Sequence, residues 1–285
     1  KKRHFHKVYK MPKKYFYLII IIFSIGIHAH DYTTIELSQN KKSLSNEIYA
    51  KLENEHYLRN IDKTNFNQNY VLAIFENLDK RKNLFTADEF NKYINDSNKV
   101  GDNDFDIELA YKLINLYFNR LIEFSQFQIE LIKNDDFDFD KDEYLDIFFE
   151  DNQWVSSYGE LEELWRLETK NDLLIAKTSD LSSSEPNSDL EKRYMNRIRR
   201  IQQQKEEDIF TIAMNALSNQ FDPHSSYLSP RSAEDFDVNM SLKLIGIGAL
   251  LSVDDDYTKI ISLVPGGPAE KSGKIKPEDR ISKIR

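Results

Sequence analysis

The 285-residue sequence contains no cysteine. This absence excludes a disulfide framework, a thiol nucleophile, a thiolate metal site and a lipid anchor on cysteine. Glycine and proline are scarce, with eight and seven residues, and five of the glycines lie in the last forty positions. Because glycine is unfavourable inside helices, this uneven distribution indicates a change of architecture near the C-terminus.

Basic residues are too few for a phosphate-neutralising surface. The chain has 39 Lys plus Arg against 48 Asp plus Glu, a formal net charge of -9. Seven of the basic residues precede Asp31 in a stretch without acids, so the remainder has 32 basic and 48 acidic residues. We therefore predict that the body of the protein binds neither nucleic acid nor an anionic membrane. Hydrophobic residues make up 40% of the chain, enough for a sizeable core in about two domains.

An apolar run near the N-terminus has the features of a secretory signal. Met11 is followed by two lysines and then by the apolar residues 15–27. This run is shorter than the about 20 residues that a membrane-spanning helix needs, and Ala29 supplies the small residue of a signal-peptidase site. The sequence predicts a signal region over residues 1–30, a true start at Met11 and cleavage after Ala29. An uncleaved membrane anchor is the alternative.

The long middle of the chain has a helical pattern. From about residue 43 to residue 220, apolar residues recur at intervals of three and four, which places them on one face of a helix. Residues 70–78 and 109–124 illustrate this spacing. The pattern predicts a mostly α-helical domain of roughly two hundred residues.

Helix starts are predicted at four positions. Thr86, Ser157 and Ser188 are each followed three residues later by Glu, a pair of side chains that satisfies free amides at a helix N-terminus. Ser229-Pro230 predicts a fourth start, because proline is favoured at the first helical position. The stretch 178–187 reads as a loop.

After Met240 the apolar period changes from 3.6 toward 2, which is typical of strands. One predicted strand covers 241–244 and 247–253 and is broken by two glycines, and a second covers 259–264. The fold class is α+β. A mostly α-helical N-terminal domain over 31–239 is followed by the first part of a β-rich domain over 240–285.

An acidic run over 135–143 resembles the first half of a calcium-binding loop. Such a loop needs Gly at position 6 and Glu at position 12. Counting from Asp136 or from Asp138 gives neither residue at its place. We interpret the run as an acidic loop with Phe137 and Phe139 turned inward; an acidic calcium-binding protein is a hypothesis that this count disfavours.

Two other polar clusters also have structural interpretations. The carboxylates of 254–256 follow one another on a hairpin and cannot all face one ion, so a solvated turn is predicted. Asp222, His224 and Ser225 invite comparison with a hydrolase triad, but adjacency in one turn supplies neither converging elements nor an oxyanion hole. Asp222 is instead expected to open a turn and to accept hydrogen bonds from the amides that follow it.

The segment Gly246-Ile247-Gly248-Ala249 leaves two interpretations open. Glycines two positions apart let consecutive backbone N–H groups face outward, where they can donate hydrogen bonds to an anion. A bulged strand accounts for the same glycines. A second element, Val264-Pro265-Gly266-Gly267-Pro268-Ala269 with Asp279-Arg280-Ile281 after it, favours the anion-accepting loop.

These residues resemble the PDZ domain of the tail-specific, or C-terminal processing, serine peptidases of bacteria. The carboxylate-binding loop of that family is similar to 244–249, and its later strand, turn and helix are similar to 266–281. The lead-in over 222–231 is the most specific stretch and resembles the periplasmic branch that carries a helical N-terminal domain. The resemblance covers about residue 44 to the end.

The resemblance implies an exported, periplasmic serine endopeptidase that needs no cofactor or metal. Its partners would be the C-terminal tails of periplasmic or membrane protein substrates, with an adaptor protein as a further partner. The PDZ domain would bind the tail, and a Ser-Lys dyad would cleave the substrate. The implied substrate-binding residues are Leu244, Gly246, Ile247, Gly248 and Ala249.

No catalytic residue is assigned in this sequence. In the family, the serine and lysine follow the PDZ domain, and Arg285 corresponds to a position inside it. We expect an N-terminal fragment whose half-complete sheet aggregates or is trimmed by proteases after about Met240. The alternative is a non-catalytic secreted PDZ-containing scaffold or adaptor.

Overall fold

The computed structural model describes residues 32–58, 62–100, 104–134, 137–146, 153–178, 185–240, 246–254 and 257–283. These residues form two compact units, which divide between Tyr227 and Leu228. We call them the helical unit and the sheet unit. The division lies upstream of the predicted boundary at 239/240, because the helix that follows Ser229 groups with the sheet unit. The predicted signal region lies outside the described residues.

The helical unit confirms the helical interpretation of the middle of the chain. Its longest helix has 28 residues and is central, since five other helices pack against it. The helices of this unit are α1 Gln39–Glu55, α2 Phe66–Leu78, α3 Ala87–Ser97, α4 Ile107–Asn134, α5 Tyr158–Thr178, α6 Pro186–Gln202 and α7 Glu206–Ser218.

The core of the helical unit lies around α4, which packs against α5, α6 and α7. Apolar residues at intervals of three and four along α4, such as Ala110 and Ile114, are fully buried. Aromatic rings close the end of the core near α1, where the Tyr49 ring lies 4.9 Å from Phe105 and 6.1 Å from Phe221 between centroids. The helical pattern of the sequence therefore marks residues that pack on each other within one unit.

The predicted helix starts have different outcomes. Thr86 begins α3 with both hydrogen bonds of the reciprocal cap. Ser157 precedes α5 and accepts from the Glu160 amide at 3.3 Å, although the Glu160 carboxylate accepts from the Ser156 amide instead of that of Ser157. The start at Ser188 is wrong. Helix α6 begins two residues earlier at Pro186, because proline is already restricted to helical φ and lacks an amide that would need a partner.

A buried polar turn connects α2 to α3. The Asp79 carboxylate accepts hydrogen bonds from the backbone amides of Asn83 at 2.9 Å and Leu84 at 3.2 Å. It also accepts from the Trp154 indole at 3.1 Å, and the Trp165 indole donates to the Asn83 carbonyl at 2.6 Å. Burial raises the pKa of Asp79 to about 6, although these hydrogen bonds act in the opposite direction.

The sheet unit contains a helix, a three-stranded antiparallel sheet and a short second helix. The strand order is β1-β2-β3, and the β1–β2 pairing shifts register between Leu250 and Leu251. The elements are α8 Pro230–Met240, β1 Ala249–Asp254, β2 Tyr257–Leu263, α9 Pro268–Ser272 and β3 Arg280–Ile281.

The sheet confirms a change to β-structure, with shifted boundaries. Helix α8 begins at Pro230, as Ser229-Pro230 predicts, and the Ser229 hydroxyl accepts from the Ser232 amide at 3.2 Å. The strand predicted from Ile247 begins instead at Ala249, because Gly248 has a φ of 75° and leaves the extended region. The predicted strand at 241–244 and two carboxylates of the turn, 255–256, lie outside the described residues.

Candidate functional site

The loop before β1 is tied to the turn that leads into α9. The Gly248 carbonyl accepts from the Val264 amide, and the Ile247 carbonyl accepts from the Ala269 amide, both at 2.8 Å. The Gly267 amide donates to the Val264 carbonyl at 2.9 Å and tightens the turn. The loop is therefore fixed through its carbonyl groups by two segments that are distant in sequence.

Glycine at two positions allows this close packing. A Cβ atom on Gly248 would lie 3.2 Å from both Gly267 Cα and Pro268 Cδ, and its φ of 75° also favours glycine. A Cβ atom on Gly267 would lie 2.9 Å from the Val264 carbonyl oxygen. The backbone of the loop and that of the turn before α9 thus approach each other closely at Gly248 and Gly267. The register shift of β1 lies at Leu250/Leu251, so a bulge does not account for these glycines.

The amides of this loop point to its chemistry. Within the described part of the chain, the N–H groups of Gly246, Ile247 and Gly248 donate no hydrogen bond. Gly246 and Ile247 are exposed and Gly248 is half-buried. Consecutive amides without protein acceptors suit an anion such as a carboxylate. Ala249 begins β1 opposite Leu263, while Leu244 lies outside the described residues.

Helix α9 supports the loop through local hydrogen bonds. The Glu270 carboxylate accepts from the Gly266 amide at 2.6 Å. The Ser272 hydroxyl donates to the Ala269 carbonyl at 2.7 Å and accepts from the Lys274 amide at 3.2 Å. Both polar side chains thus hold the turn around α9 in place.

The Asp222 segment is a turn, as predicted. Asp222 Oδ1 accepts from the His224 amide at 2.6 Å, and the Asp222 carbonyl accepts from the Ser225 amide at 2.9 Å. The Tyr57 hydroxyl also donates to the Asp222 carboxylate and lowers its pKa, with further lowering by the His224 amide. The His224 side chain is 94% exposed.

Ser225 has no base that could activate it among the described residues. Its Oγ contacts Nε2 of His56 at 3.0 Å. The Leu58 amide donates to Nδ1 of the same ring at 3.2 Å, so the neutral ring carries its proton on Nε2 and donates to the serine. This geometry agrees with a structural interpretation of the turn.

Glu143, at the end of the acidic run, is paired with neighbouring cations. Burial raises the pKa of Glu143, but hydrogen bonds from Lys141, Lys170 and Arg166 outweigh this effect and lower the pKa to about 2. The Lys170 ammonium also donates to the backbone carbonyl of Asp138 at 2.5 Å. In the described ranges, no cluster of His, Asp or Glu side chains is arranged to hold a metal ion.

The predicted inward orientation of the two phenylalanines in this run holds for one of them. Phe137 packs against the core of the helical unit. Phe139 is exposed, and the ammonium groups of Lys170 and Lys177 lie 5.6 and 5.1 Å from the centre of its ring. The aromatic face contacts two cations there instead of the core. Asp135 and Asp136 lie outside the described residues.

Comparison with known proteins identifies the family. Residues 48–231 match the family model described as the tail specific protease N-terminal domain. The chain belongs to the tail-specific protease family. The match covers most of the helical unit and reaches the segment around Asp222.

Individual relatives extend this finding. A tail-specific protease of Haemophilus influenzae is 31% identical over 251 residues, which cover 86% of this chain and 36% of that protein. The carboxy-terminal processing protease CtpA of Bacillus subtilis is 43% identical over 63 residues, or 22% of this chain and 13% of that protein. A probable CtpA-like serine protease of Staphylococcus aureus is 36% identical over 63 residues, 22% of this chain and 12% of that protein. The chain thus spans about a third of the first relative, and less of the others.

Two features of this chain were missed by sequence reasoning. Asp79 and Asn115 are buried polar residues that organise backbone around them. The only signal for Asn115 is a polar side chain within the apolar face of a predicted helix. The sequence does not reveal which backbone groups such a buried polar residue will bind. None of the described helices is long and apolar enough to cross a membrane.

Proposed function

We propose that this chain is the N-terminal part of an exported serine endopeptidase that recognises substrate C-termini. In this proposal the sheet unit is part of a PDZ domain, and a Ser-Lys dyad lies beyond residue 285. Family membership and the names of the relatives support a protease that processes carboxy termini. The observation that carries tail recognition is the loop 246–248, whose three amides have no acceptor within the described residues.

The chemistry of recognition follows from this loop. A substrate tail would add to the sheet as an extra strand, and its terminal carboxylate would accept hydrogen bonds from the loop amides. Gly246, Gly248 and their neighbours Ile247, Ala249 and Leu244 would form this site. The backbone carbonyls of Ile247 and Gly248 already accept from α9 and from Val264, so the loop is preorganised before a ligand binds.

Cleavage would use residues outside this sequence. A lysine that burial keeps neutral would take the proton of the serine hydroxyl and so activate it as a nucleophile. Such a dyad requires neither a cofactor nor a metal. The helical unit would then be a domain attached to the protease, with the catalytic groups supplied by a later α/β domain.

The proposed location is the periplasm. The apolar run 15–27 and the small residue Ala29 support export by a signal peptide. The substrates in this proposal are periplasmic or membrane proteins with accessible C-terminal tails, and an adaptor protein is a further partner. Fractionation of cells that produce the protein, with immunodetection, tests the location. Recovery in the cytoplasm would contradict export.

The experiment that tests this function extends the coding sequence past codon 285 to its stop codon and assays the encoded protein. A peptide substrate is compared with the same peptide carrying a C-terminal amide. We expect cleavage of the free acid, and a loss of at least tenfold in kcat/KM for the amide, because the amide removes the charge that the loop amides bind. The variant Gly248→Ala should raise KM. Its matched control is Gly246→Ala, which keeps the backbone amide and whose added Cβ meets no described residue within 4 Å.

Three results would overturn the proposal. One is equal cleavage of acid and amide, which would remove tail recognition. The other is a folded protein that binds the free acid without cleaving it, which would favour the non-catalytic adaptor instead. A stop codon directly after codon 285 would also exclude the protease.

A further inference from the structure

An extended segment precedes the first helix of the helical unit. Residues 32–38 have no regular secondary structure, and we call them the strap. Tyr32, Ile35 and Leu37 are partly buried and pack against the core. Thr33, Thr34 and Glu36 are exposed. The strap thus presents one apolar side to the protein and one polar side to solvent.

Asn115 on α4 pairs with the backbone of the strap. Its Oδ1 accepts from the Ile35 amide at 2.9 Å, and its Nδ2 donates to the Ile35 carbonyl at 3.1 Å. The two bonds reproduce the pairing of opposite residues in an antiparallel sheet. Oδ1 also accepts from the Tyr32 hydroxyl at 2.9 Å, and Nδ2 donates to the Tyr111 carbonyl at 2.8 Å. All four hydrogen-bonding positions of the amide are therefore used.

The two ends of the strap are also held by side chains. The Ser38 amide donates to Glu206 Oε1 on α7 at 2.7 Å. The centroid of the Tyr32 ring lies 5.9 Å from that of Phe118. Burial raises the pKa of the Tyr32 hydroxyl to about 12. Among the described residues, the strap thus bonds to side chains of α4 and α7 without joining a sheet. Because these side chains bind backbone groups of the strap, the same contacts could form with a peptide of different sequence.

The strap borders an open part of the surface. A cavity of about 360 Å³ that is open to solvent lies between the strap and side chains of α1 and α4, Asn115 among them. The exposed side chains of Thr34 and Glu36 border this space and are not enclosed by the protein. The cavity and the backbone contacts of Asn115 lie on the same face of α4.

We infer that this groove, between α4 and α7, is a binding site for an extended peptide and that the strap is its tethered ligand. The ligand class is an internal peptide segment with an aromatic residue, two spacers, an aliphatic residue, one spacer and a second aliphatic residue. Asn115 recognises the backbone N–H and C=O of the first aliphatic residue. The site needs no terminal carboxylate, so the inference is independent of the proposed tail recognition.

The test uses the full 285-residue chain. The double variant Ile35→Asp, Leu37→Asp replaces two apolar side chains of the strap by carboxylates. Because burial of a carboxylate is unfavourable, the strap of this variant should leave the groove. No residue of the groove itself is changed. A fluorescent peptide with the sequence of residues 32–38 is titrated by anisotropy. We expect the variant to bind it at least tenfold more tightly than the wild-type chain, whose tethered strap competes at an effective concentration in the millimolar range.

Matched controls locate the binding. The double variant Thr33→Asp, Thr34→Asp changes exposed strap residues and should leave peptide binding as in the wild-type chain. A peptide methylated on the Ile35 amide nitrogen cannot donate to Asn115 and should bind at least tenfold more weakly. A folded strap variant that binds no peptide, or equal binding of the methylated peptide, would overturn the inference.

Hydrogen exchange of the wild-type chain gives a second test that does not depend on the variants folding. The Ile35 amide should exchange more slowly than those of Thr33 and Thr34, because Asn115 accepts from it. It should still exchange faster than the buried amides of α4, since the strap opens locally while the helices stay folded. Exchange of Ile35 at the rate of the α4 core would show that the strap is a permanent part of the core.

Discussion

The helical unit and the sheet unit differ in how much apolar surface each buries. The helical unit buries long aliphatic and aromatic side chains from all of its helices except α3, whose apolar residues are partly buried. In the described part of the sheet unit, Ile260 and Ala269 are the buried apolar residues. Leu250 is 59% exposed and Val253 is 82% exposed, so strand β1 presents apolar side chains to solvent.

This difference separates two sources of order. In the helical unit, burial of apolar surface stabilises the fold, at about 25 cal/mol per Å². In the sheet unit, backbone hydrogen bonds and close glycine contacts fix the local geometry, while few apolar side chains of its described strands are buried. A three-stranded sheet needs a packed hydrophobic face for independent stability. We therefore expect the same type of substitution to have different consequences in the two units.

The largest expected effect comes from shortening isoleucine in each unit. Ile114→Ala on α4 removes a fully buried side chain and should lower the free energy of unfolding by about 2–5 kcal/mol. Ile261→Ala on β2 shortens a side chain that is 43% exposed and should cost less than about 1 kcal/mol. Urea unfolding followed by circular dichroism at 222 nm measures the first, and hydrogen exchange of the β2 amides measures the second. Similar costs at both positions would contradict the comparison.

The next effect is a dependence of the stability of the helical unit on pH. The pKa of Asp79 is about 6 in the folded chain, above its ordinary value of 3.8, so the folded chain binds this proton more tightly. Its stabilising contribution is complete below about pH 4 and is lost as the pH rises through 6. Two pKa units correspond to at most about 3 kcal/mol.

The variant Asp79→Asn isolates this contribution. The difference in unfolding free energy between the wild type and this variant should decrease by up to about 3 kcal/mol from pH 4 to pH 7. Tryptophan fluorescence reports the transition, because the indoles of Trp154 and Trp165 donate to Asp79 and to Asn83. A difference that is constant with pH would show that Asp79 is not the titrating group.

The third effect is expected in the loop of the sheet unit and is smaller than that of Ile114→Ala. Gly248→Ala forces a positive φ on alanine and brings its Cβ within 3.2 Å of Gly267 Cα, at a cost of about 1–2 kcal/mol. Gly246→Ala is the control, since its Cβ meets no atom within 4 Å in the part of the chain that the structure describes. Amide exchange of β1 and β2 should accelerate in the first variant, with the melting of the helices unchanged. Equal exchange in both variants would mean that the close approach does not constrain the loop.

Much of the helical unit could be predicted from its sequence. The recurrence of apolar residues at intervals of three and four is a local pattern, so the sequence alone reveals it. The cap at Thr86 is also local, because it needs residues only three positions apart. Pro186 overrode the weaker signal at Ser188, because a fixed backbone angle constrains a helix start more than a hydroxyl does.

The candidate site was only partly accessible to sequence reasoning. The glycines of 246–248 indicated an unusual backbone, but the partners of that backbone, Val264 and Ala269, are set by tertiary packing. The same limit applies to Asn115, whose backbone partner lies 80 residues away along the chain. Long-range pairings of this kind follow from the fold and leave little local pattern in the sequence.

Hydrogen exchange of the whole chain, read by mass spectrometry, tests the central claim most directly. That claim is that the helical unit is stable by itself, while the sheet unit is ordered mainly by local hydrogen bonds. The account predicts strong protection in α2, α4 and α7 and much weaker protection in β1, β2 and β3 under the same conditions. Equal protection in the strands and in α4 would contradict it and would show that the exposed face of the sheet does not limit its stability.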